Sequence, residues 1–345
     1  MSMKSLAYLT SKIYVLRLAA IMLPLCSFFS CKSREEVAEQ KFAMVLGSDR
    51  AVDRVMKMGA EQAAAELGMK ISIMMSGADV SSQSDHLSEQ YKQGVAGLAV
   101  SLLDAQRQKS LLNQVAGSAR LIVMGSDAPD SKRHAFVGVD PYAAGRMAGQ
   151  LVKEAMPQGG RVAIFLGYGE DPNELLRRQG VIDELLDRTN QVRRLDELGA
   201  LINGGKYQVL ATLIDQGDAA VAGCSVDDLL KKDATVGCVV GLQGYHAPML
   251  LAKLGENHRL GQIKVVAFDE ELATLDGIVS GHVQGTVVQD PFACGYQTVK
   301  LLKELSNIPI SHDEGKADVM IAARIIRKDN VASFREDWES KTGAK

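Results

Sequence analysis

The chain is poor in aromatic residues, 5% of 345, and Trp338 is its single tryptophan. Its core must therefore rest mainly on Ala, Val, Leu, Ile and Met. It also lacks the short motifs of common catalytic and metal sites. There is no Gly-x-Ser-x-Gly elbow, no Walker-type phosphate loop, no Cys-x-x-Cys and no His-Glu-x-x-His, which leaves a nucleophile elbow, a P-loop or a zinc centre without support. Gly167-Tyr168-Gly169 begins a dinucleotide-like pattern, but Pro172 stands where its last glycine belongs, and the segment reads as a turn. No catalytic residue, metal or cofactor is expected. Strong charge is missing as well. With 39 Lys+Arg against 42 Asp+Glu, the net charge of −3 gives no reason to expect nucleic acid or an acidic membrane surface as partner. The apolar run Leu18–Phe29 is too short to span a bilayer comfortably.

No Asp or Glu precedes Glu35, whereas Lys4, Lys12 and Arg17 are basic. The apolar run ends at Phe28-Phe29-Ser30-Cys31 and gives way to polar Lys32-Ser33-Arg34. Residues 1–30 resemble a bacterial lipoprotein signal, in which a small residue precedes the cysteine that is lipidated, although Phe28 and Phe29 are bulkier than usual there. The resemblance implies lipidation at Cys31, export to the periplasm or cell surface, and attachment to a membrane through the N-terminal lipid. Residues 31–40 read as a polar linker. Cys224, Cys238 and Cys294 remain, and their odd number argues against a disulfide framework. They read as three small buried hydrophobes.

From Phe42 onward, short apolar runs alternate with helical periodicities. Phe42–Leu46, Ile71–Met75, Val95–Val100 and Leu121–Met124 read as strands, with helices between them that include Ser81–Lys92 and Asp104–Ala116. The alternation restarts after Val137–Val139, with helices at Pro141–Met156, Glu174–Leu186 and Ala219–Lys232, and strands at Arg161–Phe165, Gln208–Leu213, Val236–Gly241 and Val265–Phe268. Residues 189–206 read as irregular. Two successive sets of βαβ units imply an α/β protein of two Rossmann-like, doubly wound lobes. Ligands of such sheets bind beyond the carboxyl ends of the strands, so two lobes facing each other across those ends make a cleft. The segments after the strands are then the candidates, among them 48–53, 125–127, 167–171, 243–246, 268–270 and 289–290.

Within those segments, Asp269 follows an apolar strand and reads either as an acceptor for vicinal hydroxyls or as the N-cap of the next helix. Phe268 offers a ring to the apolar face of a polyhydroxylated ligand. Gln289 precedes Asp290-Pro291 at a strand-to-helix junction, where an amide can both donate to and accept from a hydroxyl. Arg177 or Arg178 can span two ligand oxygens, or belong to a solvated helix face. Asp49, Arg50 and Asp53 read either as a favourable helix start or as charged ligand contacts. Ser126 and Asp127 follow the fourth strand. Gln243 and Tyr245 lie in Gly241–His246, with Tyr245 a second possible aromatic wall and His246 a helix-start residue.

Phe268-Asp269, Gln289 in its Gln-x-Pro setting, Arg177 three residues before Gly180, and Val123–Arg133 together resemble periplasmic sugar-binding proteins of the ribose-binding type. The likeness covers about residues 41–328. It implies lobes of 41–139 plus 290–315 and of 140–289 plus 316–330, a tail at 331–345, and three crossover strands near Val137–Asp140, Val265–Gln289 and Gly315–Ile321. It selects Arg177 over Arg178, and assigns the ring and carboxylate at Phe268-Asp269 to sugar binding. It implies a non-enzymatic, monomeric protein that captures a sugar by hinge closure and delivers it to an ABC permease. A sensory protein of the same fold reporting to a receptor or kinase is the alternative. Two departures weaken simple-sugar specificity. Gly125 stands where that family has a carboxylate, which Asp127 either replaces or does not, and Asp49–Asp53 replace an aromatic pair.

Overall fold

The computed structural model describes residues 40–189, 193–310 and 316–343; Cys31 and the apolar run before it lie outside them. The chain alternates strand and helix. β1 (Phe42–Leu46), α1 (Ala51–Glu66), β2 (Ile71–Met75), α2 (Val80–Lys92), β3 (Gly97–Ser101), α3 (Ala105–Ala116), β4 (Arg120–Met124) and β5 (Ala135–Gly138) come first. Next are α4 (Pro141–Ala155), β6 (Gly160–Leu166), α5 (Pro172–Leu185), β7 (Ile202–Gly204), β8 (Tyr207–Ile214), α6 (Ala219–Lys232), β9 (Val236–Gly241) and α7 (His246–Glu256). Last are β10 (Lys264–Phe268), α8 (Leu272–Ser280), β11 (Val283–Val288), α9 (Pro291–Leu305), β12 (Val319–Met320), β13 (Arg324–Ile326) and α10 (Val331–Thr342).

Two sheets result. The first has the order β12-β5-β4-β3-β1-β2, with every pair parallel. The second has the order β13-β11-β10-β9-β6-β8-β7, parallel except at its two edges. Both are covered on two faces, which is why strands such as β1 are apolar and buried at every position. Phe42, Met44 and Leu46 meet α1 and α9 on one side, while Ala43 and Val45 join the cluster of Leu87, Leu112 and Val115 on the other. Each fully buried Leu or Phe contributes roughly 1.5–3 kcal/mol. Among the described residues no helix is long and apolar enough to cross a membrane.

Local signals explain where the helices start. Asp140, Asp171 and Asp290 each precede a proline, and each carboxylate caps the helix it opens, accepting from the N–H of Tyr142 (3.0 Å), Asn173 (2.7 Å) and Ala293 (3.0 Å). Two of these helices begin where the chain changes lobe. It passes from β5 into α4, returns from β11 into α9, and passes a third time between β12 and β13. In each lobe a pair of helices crosses at backbone contact. A Cβ on Gly145 would lie 2.0 Å from the Arg177 carbonyl oxygen, and one on Gly180 would lie 2.2 Å from that of Tyr142. Gly59 and Gly295 play the same part between α1 and α9.

Four expectations need correction. Segment 316–330 is divided between the lobes. Val319 and Met320 pair parallel with β5, held there by Asp318, which binds Arg133 at 2.6 Å and the Phe136 N–H at 2.9 Å, whereas Arg324–Ile326 pairs with β11. The tail is largely helix: in α10, Val331, Phe334 and Trp338 are buried in the core that also holds Leu275 and Ile278 of α8. The irregular stretch contains β7, an antiparallel edge strand. Part of that stretch is fixed by Arg178, which is fully buried and donates to Thr212 Oγ1 (2.6 Å) and to the carbonyls of Asp196 (2.8 Å) and Glu197 (2.9 Å). Finally, Cys238 and Cys294 are buried, their thiols pushed up to about 12 by desolvation, but Cys224 is exposed.

Candidate ligand-binding cleft

A cleft of about 430 Å³ lies where the carboxyl ends of both sheets' parallel strands meet. It gathers Arg50, Asp53, Ser126, Arg177, Gln243, Tyr245, Asp269 and Gln289. Three expected residues stand elsewhere. Asp49 points into solvent and pairs with Arg54 at 3.6 Å. Asp127 is held by Arg133, 2.5 Å from its Nε, and caps its own loop at the Ala128 N–H (2.7 Å). Phe268 is buried in the second lobe's core, with the Arg177 guanidinium 4.9 Å above its ring. Phe268 is the last residue of β10 and points into the core, while Asp269, in the turn that follows, lines the cleft. The ring therefore backs the arginine and does not form the wall.

The corresponding turns after β4 and β10 are alike. Gly125 (φ +77°) and Asp269 (φ +65°) are both left-handed, and each donates its N–H to the neighbouring strand, to Val137 (3.0 Å) and Val287 (2.9 Å). Glycine adopts this conformation freely and aspartate tolerates it. The Thr286 hydroxyl adds a bond to the Asp269 carbonyl at 2.7 Å. The two lobes thus share one device with different side chains, and only the second presents a carboxylate from it.

Around the second lobe's strand ends the polar groups are fixed in chains. His246 is fully buried at the start of α7. Its Nδ1 accepts from the Gln243 N–H (3.0 Å), so its Nε2 carries the proton and donates to Asp215 (2.8 Å). With both nitrogens occupied, it has no role as a base. Tyr245 donates its hydroxyl to the same aspartate, and burial together with that carboxylate pushes the phenol well up. Arg177 donates to the Leu242 carbonyl at 3.0 Å, and its buried Nε has no acceptor.

Composition and order along the chain did not reveal three lining groups. Glu174 is 1% exposed and accepts from the N–H groups of Gly167 (2.6 Å) and Tyr168 (3.2 Å), yet desolvation outweighs these bonds and raises its carboxyl to about 7. Glu270 lies within a candidate segment but beside the residue that drew attention. Trp338 lies on α10, in the polar C-terminal segment. Asn173, also at the cleft, reaches across it: its Oδ1 accepts from the Asp127 N–H (3.2 Å) and its Nδ2 donates to the Asp127 carbonyl (3.4 Å).

Residues 43–307 match the periplasmic binding protein domain. The chain belongs to that family. No curated protein sequence matches it. Solved structures of the same fold include a sugar-binding protein of a sugar ABC transporter from Bacillus halodurans, 21% identical with a TM-score of 0.73, covering 86% of this chain and all of the other. A glucose-galactose binding protein from Geobacillus stearothermophilus is 23% identical with a TM-score of 0.71, covering 84% and 98%. A solute-binding protein from Burkholderia graminis, solved with D-arabinose, is 22% identical with a TM-score of 0.71, covering 86% and 97%. Family membership implies a location outside the cytoplasm for this periplasmic binding protein. The two lobes and the cleft between them are the family's architecture.

Proposed function

We propose that this protein captures a sugar or similar small polyhydroxylated solute between its lobes and delivers it to an ABC permease, with no bond made or broken. The observation that carries the reading is the cleft itself. Asp269, Gln289, Gln243 and Arg177 supply acceptors and donors from strand ends, and the rings of Tyr245 and Trp338 supply apolar surface. Structures of the same fold described as binding arabinose, glucose and galactose support the class of ligand. Hinge closure about the three crossings buries the solute and gives the permease one closed shape to recognise. Arg50, Asp53 and Ser126 contact it from the first lobe. The protein acts as a monomer, anchored to a membrane by a lipid on Cys31.

A ligand that binds only the folded state raises thermal stability by mass action. A panel of pentoses, hexoses, amino sugars, polyols and nucleosides is expected to yield at least one clear rise in melting temperature, and Asp269→Ala is expected to remove it while leaving the unliganded melting temperature within a few degrees. No rise with any member of the panel overturns the reading; a normal rise in the variant removes Asp269 from the site.

A further inference from the structure

Carboxylates on the cleft wall outnumber guanidiniums seven to two. Four of the seven are served by the protein. Asp53 takes the N–H (3.1 Å) and hydroxyl of Ser48 and lies beside Arg50. Asp171 and Asp290 cap helices, the latter 3.9 Å from Arg324. Glu174 takes two backbone N–H groups. The other three are consecutive: Asp269, Glu270 and Glu271. Among the described residues nothing donates a hydrogen bond to their carboxylates and no cation lies within ion-pair distance of them; the nearest counter-charge is Arg324, which acts on Glu270 through space while lying 3.9 Å from Asp290. The two guanidiniums are engaged elsewhere, Arg50 with Ser48 and Arg177 with the Leu242 carbonyl.

Asp269 and Glu271 lie on the same side, both against Gly244, and Glu270 is close enough to feel both charges. A Cβ on Gly244 would lie 3.4 Å from both Asp269 Cβ and Glu271 Cγ, and 3.5 Å from Asp269 Oδ2. Glu270 is only 9% exposed, and that remaining surface opens on the cleft. Burial, reinforced by Asp269 and Glu271, pushes its carboxyl well above the ordinary range. A buried carboxyl with no donor is costly to ionise and keeps its proton until a cation accompanies it. An ammonium brings a full charge and three N–H donors to such a place, where a hydroxyl brings one donor and no charge. An organic cation bearing such an ammonium is the counterpart this chemistry fits.

Given the solute capture proposed above, we propose that the solute carries an amine, as an amino sugar does, and that Asp269, Glu270 and Glu271 together hold its ammonium. The triplet then determines specificity, while the amides, Arg177 and the rings recognise the polyol frame that neutral and amino sugars share.

The test is calorimetric titration at pH 7 with two matched pairs, D-glucosamine with D-glucose and D-galactosamine with D-galactose, and with the N-acetylated amines as uncharged controls. In at least one pair the amine is expected to bind at least about tenfold more tightly than its neutral partner, the lower end of what a close charge pair contributes. Acetylation should abolish the advantage and added salt should reduce it. Glu270→Gln, which replaces a carboxyl that accepts no hydrogen bond from the protein, should bring the two members of the pair to within about threefold. Glu271→Gln serves as the second variant should the first fail to fold. A neutral sugar that binds as well as its amine overturns this proposal and leaves sugar capture standing. No binding by either amino sugar, with binding by another neutral sugar or polyol, does the same. No binding by any sugar, polyol or nucleoside overturns both.

Discussion

Glu174 shows how burial and hydrogen bonding compete on one side chain. Two backbone N–H groups and Gln243 favour its charged form, and removal from water opposes it and prevails, moving the carboxyl from 4.5 to about 7. The folded protein therefore holds this proton more tightly than the unfolded chain does. The sign follows: its contribution to stability is full below about pH 4.5 and is lost as pH rises through about 7, a change on the order of 3 kcal/mol. Glu174→Gln is expected to flatten the pH dependence of the urea midpoint between about pH 5 and 7.5, with a loss of about 1–3 kcal/mol below about pH 5, where one backbone N–H faces an amide N–H, that shrinks as pH rises because only the wild type loses stability there. A variant with the wild-type slope would show that another group titrates in that window. Neither Glu174 nor Glu270 stood out in the sequence, because nothing in the string of residues marks which of many acids loses its water. Asp269 and Gln289 were legible because each follows a strand and precedes a helix, which fixes the end of the sheet they face.

At the level of elements, the strands and helices were readable from apolar runs and periodicity, since these are local. Pairings that join distant segments were not. Val319–Met320 is too short and too weakly apolar to declare itself a strand, and it becomes one because Asp318 is held by Arg133. The same holds for α10, whose polar sequence hides three residues of the core. The glycine crossings make a specific demand. α4 and α5 meet with Gly180 against the Tyr142 carbonyl, and Arg177 projects from that same turn of α5. Gly180→Ala forces the helices apart and is expected to cost about 1–3 kcal/mol, read as a lower urea midpoint with an unchanged slope. It should also weaken ligand binding, because the guanidinium moves with its helix. An alanine variant with unaltered stability would contradict the backbone contact described here.

On the scale of the whole molecule, the cleft is bridged at Asp127 and Asn173, one residue from each lobe. Asn173→Ala removes both bonds, together with the Nδ2 bond to Asp171 (3.2 Å) within its own lobe, without touching either sheet. A typical hydrogen bond contributes about 0.5–1.5 kcal/mol, so with two bonds lost the variant is expected to bind its solute roughly 5- to 150-fold more weakly. Small-angle scattering should give a larger radius of gyration without ligand. Wild-type values for both would mean that closure does not depend on this pair.

The order in which the lobes are assembled also has a consequence for biosynthesis. The first lobe is not the product of the first half of the chain: its helix α9 packs on α1 and its strand β12 pairs with β5, so it is completed by residues that follow all but the last strand of the second sheet. The cleft wall is finished later still, by Trp338. A ribosome translating this message therefore releases no solute-competent intermediate, and long-range closure of this kind is slow compared with local helix formation. Binding competence is acquired only after synthesis is essentially complete, which keeps the nascent chain open for as long as it is being made.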